Sequence, residues 1–155
     1  MPFIDTAFPG LFIFEPRVFE DSRGYFFESF NDRIFREQGL HYQLPPNAQT
    51  KLVRVLHGEI LDAVVDIRKG SPMFGKAFTV VLSAENKKQL LVPKGFAHGF
   101  SVLSPKAEVL YKCDGFYDKE SEGGIIYNDP ALEIDWKIPA DKAIISDKDL
   151  VLPDL

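Results

Sequence analysis

The side chains able to move protons are few, and they sit in strand-like runs. The chain has three histidines, His41, His57 and His98. Period-two alternation decides which polar residues share a face with apolar ones. In Lys51-Leu52-Val53-Arg54-Val55-Leu56, Lys51 falls on the side of Val53 and Val55. In Ala107-Glu108-Val109-Leu110-Tyr111-Lys112, Tyr111 falls on the side of Ala107 and Val109. If those faces line an interior, a lysine and a tyrosine point into it. A buried lysine is costly unless paired, so it points to an anionic partner or ligand. Read alone, Lys51 equally fits a strand-end residue snorkelling to solvent, and Tyr111 a core tyrosine with a satisfied hydroxyl. His57 lies between two runs and is expected to be solvated. Two histidines, a tyrosine and a lysine on one β-scaffold would make an acid/base pocket.

The elements that must hold these residues are short. Eleven Pro and eleven Gly interrupt the chain, leaving few stretches for a long helix. Strands are expected over 11–19 with a bend at Pro16, and over 25–30 after the turn at Asp21 to Gly24. Lys51–Leu56 and Ile60–Ile67 flank His57-Gly58-Glu59 and read as a hairpin. Phe78–Leu82 with Gln89–Val92, and Phe100–Leu103 with Ala107–Cys113, read as two more. Many short strands at this spacing predict an all-β fold, best a jelly roll. Asn31 could cap one early helix stopped by Gly39. The tail from Asp141 is expected to hold a short turn and then an extended end.

The 155 residues bound the chain to one domain, 1–155. A net charge of −5 disfavours a nucleic-acid binder. No run approaches the ~20 apolar residues of a membrane span. The N-terminal residues lack the pattern of a secretion signal. The single cysteine, Cys113, excludes an internal disulfide and fits a cytoplasmic protein. Nine of the 14 Phe lie in the first 35 residues. That segment must be buried against the chain's own core or a second subunit.

Pro93-x-Gly95-x-x-His98 is similar to the second metal-binding motif of the cupin superfamily. No His-x-His accompanies it, so a bound metal is not expected. A metal-dependent cupin enzyme stays as an alternative on that motif alone.

Longer segments resemble the dTDP-4-dehydrorhamnose 3,5-epimerase family. They include Asp21-Ser22-Arg23-Gly24-Tyr25-Phe26-Phe27-Glu28-Ser29-Phe30-Asn31, Gly39-Leu40-His41-Tyr42-Gln43, Lys51-Leu52-Val53-Arg54-Val55 and Val65-Asp66-Ile67-Arg68. Val92-Pro93-Lys94-Gly95-Phe96-Ala97-His98-Gly99-Phe100, Leu110-Tyr111-Lys112, Asn128-Asp129-Pro130 and Ile145-Ser146-Asp147-Lys148-Asp149 continue the series. Their order and spacing carry the resemblance. It implies a cupin-like jelly roll (a double-stranded β-helix with one or two short helices), usually a homodimer, needing neither metal nor cofactor. The substrate implied is a dTDP-4-keto-6-deoxy sugar, epimerised at C3 and C5. The resemblance assigns His41 as base, Asp149 as its carboxylate partner, Tyr111 as acid and Lys51 as the cation at the enolate oxygen. It assigns His98 and Tyr117 to the sugar pocket. Arg23 and Glu28 become nucleotide contacts, with Arg23 at the diphosphate.

The resemblance breaks between Gln38 and Gly39. Family members carry a further stretch there, with a Gln-Asp-Asn element and an Arg before Gly-Leu-His. A missing segment is therefore expected at this junction. It is either a true deletion or a stretch the numbering passes over, and the intact downstream motifs favour the second. A deletion would leave an inactive sugar-nucleotide binding protein as an alternative. A single-position epimerase is another.

Overall fold

Three apparent hairpins turn out to be three crossings between sheets. The computed structural model describes residues 3–15, 19–21, 24–26, 40–139 and 143–155. Its strands are β1 (Phe3–Asp5), β2 (Phe12–Phe14), β3 (Phe19–Asp21), β4 (Gly24–Phe26), β5 (Leu40–Gln43) and β6 (Lys51–His57). There follow β7 (Glu59–Asp66), β8 (Ala77–Ser83), β9 (Gln89–Val92), β10 (Phe96–Val102), β11 (Glu108–Cys113) and β12 (Glu122–Ile125). One sheet runs β1-β2-β9-β6-β11 and the other β12-β5-β10-β7-β8; β3 and β4 form a separate pair. All strand pairings in these sheets are antiparallel. This is the all-β, cupin-like jelly roll expected.

The strands fall where their composition places them, but the pairing differs from the sequence reading. β6 and β7, β8 and β9, and β10 and β11 are neighbours in sequence and lie in opposite sheets. Each short connection carries the chain from one layer to the other. At the first crossing Gly58 has φ +75°, and an added Cβ would lie 2.1 Å from the Lys106 carbonyl oxygen. Only glycine fits that turn. The expected helix after Asn31 and the Gln38–Gly39 junction lie outside the described residues. The tail makes the expected turn at Asp149–Val151 and then extends.

The core lies between the sheets. Val53, Val55, Leu90 and Val92 of one sheet meet Ile60, Val64, Phe96 and Phe100 of the other. Phe8 packs edge-on to Phe78 and Phe96, so this member of the Phe-rich segment is in the chain's own core. A second cluster covers the outer face of the β5–β10–β7 sheet, where Leu40, Ala63, Val65 and Ala97 meet Ile125 and Leu132.

One ion pair, with its carboxylate buried and its guanidinium partly exposed, ties the end of β7 to this core. Arg68 Nε and Nη2 donate to the two Asp66 carboxylate oxygens at 2.9 and 2.6 Å, and the guanidinium stacks 4.5 Å from the Phe96 ring centre. Burial works against the Asp66 charge, but hydrogen bonds from the Arg68 side chain and backbone and from Ser71 outweigh it. The carboxyl is held below its ordinary range. A lowered folded-state value stabilises the fold above the unfolded carboxylate range and is lost as pH falls through the folded value. Arg68→Met leaves the buried Asp66 with only its backbone and Ser71 donors, and is expected to cost about 2 kcal/mol at pH 7. Urea unfolding should show the gap closing as pH falls through and below the unfolded carboxylate range; a gap independent of pH would count against this account.

Candidate active site

Alternation assigns the inner faces. On β10, His98 shares its side with Phe96 and Phe100, both in the inter-sheet core. On β7, Asp62 lies between Ile60 and Val64 on that side. On β5, Leu40 and Tyr42 pack on the outer cluster, so His41 faces inward. Opposite, Lys51 shares the inner side of β6 with Val53 and Val55, and Tyr111 packs against the core from β11. Lys51 and Tyr111 are both half-buried. The inward lysine and tyrosine expected from alternation are thus in place.

The two central histidines each hold a buried carboxylate. His41 and His98 are register partners across β5 and β10. His41 Nε2 lies 2.9 Å from Asp149 Oδ1, and both residues are buried. His98 Nε2 lies 2.9 and 3.1 Å from the two oxygens of Asp62, which is fully buried. A carboxylate accepts, so each Nε2 donates, and in the neutral imidazole each Nδ1 then keeps a lone pair. His57 is exposed, as expected.

Asp149 reaches the site because the tail is fastened to β12. The Asp149 backbone N–H donates to Ser146 Oγ at 3.2 Å and to the Ser146 carbonyl at 3.0 Å, which closes the turn. Ile126 N–H donates to the Pro153 carbonyl at 2.9 Å, and Leu155 N–H to Asp129 Oδ2 at 3.0 Å. An added Cβ on Gly124 would lie 2.8 Å from Leu152, so this glycine lets the tail lie close.

One end of the sandwich is fastened by two loops, 44–50 and 114–121. Asn47 Nδ2 donates to Asp118 Oδ2 and, at 3.1 Å, to Ser121 Oγ. Thr50 N–H donates to Asp114 Oδ1 and Asp118 N–H to Gln43 Oε1, each at 2.8 Å. Lys51 and Tyr111 sit on the strand ends that these loops join. Tyr117 is exposed in the second loop, and its hydroxyl donates to Glu122 Oε2 at 2.8 Å. Glu122 Oε1 takes an ion pair from Lys148 and lies 3.8 Å from His41 Nδ1.

His41, Asp149 and His98 are therefore gathered in one sheet and its docked tail, with Lys51 and Tyr111 on the facing sheet. The two groups thus belong to opposite layers of the sandwich and are turned toward its interior. Arg23 and Glu28 lie outside the described residues. Sequence reasoning missed Asp62 and Glu122. Asp62 was within reach of the alternation test, since it interrupts the apolar run Ile60 to Val65. Among the described residues no group of three or more His, Cys, Asp or Glu is placed to hold a metal ion. No helix among them is long and apolar enough to cross a membrane. A separate cavity of about 390 Å³, lined by Ser101, Tyr127, Ile134, Trp136 and Ile145 among others, contains none of the expected site residues.

The family model described as dTDP-4-dehydrorhamnose 3,5-epimerase matches residues 5–39 and 38–155. A relative of that name from Shigella flexneri is 48% identical over 171 residues, covering 97% of this chain and 93% of the relative. That alignment is longer than the 155-residue chain itself. The dTDP-4-dehydrorhamnose 3,5-epimerase structure from Elizabethkingia anophelis NUHP1 superposes with TM-score 0.91 at 44% identity, covering 99% of this chain and 96% of that one. The dTDP-6-deoxy-D-glucose-3,5-epimerase from Legionella pneumophila Philadelphia 1, solved in complex with dTDP-4-keto-L-rhamnose, gives 0.88 at 43%, covering 99% and 92%.

Proposed function

Because the chain belongs to the dTDP-4-dehydrorhamnose 3,5-epimerase family, we propose that it inverts C3 and C5 of a dTDP-4-keto-6-deoxyhexose, within dTDP-L-rhamnose biosynthesis. The observation that carries this reading is the buried His41–Asp149 pair facing Lys51 and Tyr111 across the sandwich. The 4-ketone acidifies the hydrogens on both neighbouring carbons. His41 Nδ1 takes a proton, and Asp149 stabilises the imidazolium that forms. The electron pair moves into the enolate, whose oxygen is met by the Lys51 ammonium. Tyr111 returns a proton from the facing sheet, so the carbon inverts. Because the ketone itself holds the carbanion, the step asks for no redox cofactor. His98, oriented by Asp62, and Tyr117 line the sugar site, while Arg23 and Glu28 hold the nucleotide. Arg23 gives an acidic protein the local positive charge that a diphosphate needs.

The reading includes a cytoplasmic homodimer in which part of the Phe-rich N-terminal segment packs across subunits. It also includes a segment missing between Gln38 and Gly39. That part is supported by the two-piece family match meeting there and by the alignment longer than the chain. Incubation with substrate in heavy water tests the activity, on protein whose intact mass is first compared with 17.5 kDa. A larger mass means the segment is present in the polypeptide. Deuterium is expected at both C3 and C5. Deuterium at one carbon would make this a single-position epimerase, and deuterium at neither would reject the reading.

A further inference from the structure

A double epimerase uses its base twice on one bound sugar. After the first abstraction His41 Nδ1 holds a proton, and that proton must leave before the second carbon can react. His41 Nδ1 is buried and has no hydrogen-bond partner. The carboxylate placed beside it is that of Glu122, whose Oε1 lies 3.8 Å away on β12. The Glu122 side chain is 20% exposed against 9% for His41, so the carboxylate lies on the solvent side of the ring.

We propose that Glu122 is the proton exit of the site, carrying the proton from His41 Nδ1 to water between the two epimerisations; the inference rests on the double-epimerase reading above. The step balances without electron transfer. A C–H bond breaks, its proton bonds to Nδ1 and the electron pair enters the enolate. The Nδ1–H proton then passes to Glu122 Oε1, directly after an approach of about 1 Å or through one water. From Oε1 it passes to solvent, which restores both the lone pair and the carboxylate.

The surroundings of Glu122 suit this work. Tyr117 donates to Oε2, which leaves Oε1 to face His41 and Lys148. Lys148 is the residue before Asp149, so one carboxylate fastens the tail and faces the base. The Lys148 hydrogen bond, opposed by burial and aided by Tyr117, holds the Glu122 carboxyl below its ordinary range. It is therefore an ionised acceptor at neutral pH and gives its proton up readily to water. The neighbouring alternative, His98, has its Nε2 committed to Asp62.

Single-turnover reactions in heavy water test the proposal with wild type, Glu122→Gln and Glu122→Asp. Glu122→Gln is expected to leave the first exchange within about threefold of wild type and slow the second by about 10²-fold, the lower end of the range for a proton-transfer group. Singly inverted product then accumulates. Glu122→Asp keeps the charge but withdraws it by one methylene, so an intermediate partition is expected. It also provides the reading should the Gln variant not fold. Equal loss of both exchanges would mark Glu122 as merely structural and overturn the proposal, as would wild-type partition in both variants. Wild type that exchanges at neither carbon would overturn the epimerase reading together with it.

Discussion

Replacing His41 by glutamine is expected to slow deuterium exchange at both C3 and C5 by about 10³-fold, the mid-range for loss of a positioned general base. The same change should leave the fold and dTDP binding intact. Glutamine carries its amide nitrogen to about where the imidazole Nε2 stands, so the buried Asp149 carboxylate retains a donor. The outcome rests on a single base serving both carbons. His41 is the buried histidine whose Nδ1 faces no hydrogen-bond partner. Exchange lost at one carbon only would assign a second base, for which His98 is the nearest candidate. Unchanged exchange would remove His41 from the mechanism.

Tyr111→Phe is expected to act on the other half of the reaction. Inversion should fall about 10²- to 10³-fold, within the range for a lost general acid. Exchange of the substrate proton with solvent should fall far less, because His41 still removes it and can return a deuteron to the same face. The variant is therefore expected to label its substrate without converting it. That separation follows from the architecture: His41, the proposed base, stands on β5 and Tyr111, the proposed acid, on β11, in sheets facing each other across the core. Inversion and exchange falling in equal proportion would show that Tyr111 does not act as the acid.

Much of this site is legible in the amino-acid sequence. Period-two alternation puts Lys51 and Tyr111 on inner faces, because a strand buried on one side leaves that periodicity in its residues. Applied to Ile60 to Val65, the same test picks out Asp62. Strand pairing is less legible. His57-Gly58-Glu59 looks like a hairpin turn, yet it carries the chain to the other sheet. Turn chemistry reports that the chain bends, whereas the layer it enters depends on packing between distant strands. The tail has no periodic pattern, so resemblance alone singles out Asp149 in the sequence. Its place comes from the docking of Leu152 and Pro153 on β12 and its neighbour Ile126. Glu122 leaves no local signal, since its position beside His41 arises only when β12 pairs with β5.

The crossings between sheets also bear on how the chain acquires activity during synthesis. Each sheet draws its strands from segments far apart, so neither can close from a contiguous stretch. Such topology makes folding slow, on the order of milliseconds to seconds. A ribosome-bound chain that has reached β10 already holds His41, Lys51 and His98, but many of its strand edges are unpaired. His41 acquires its carboxylate partner only when residue 149 has emerged and the tail has docked. A partial chain is thus exposed to aggregation and catalytically silent.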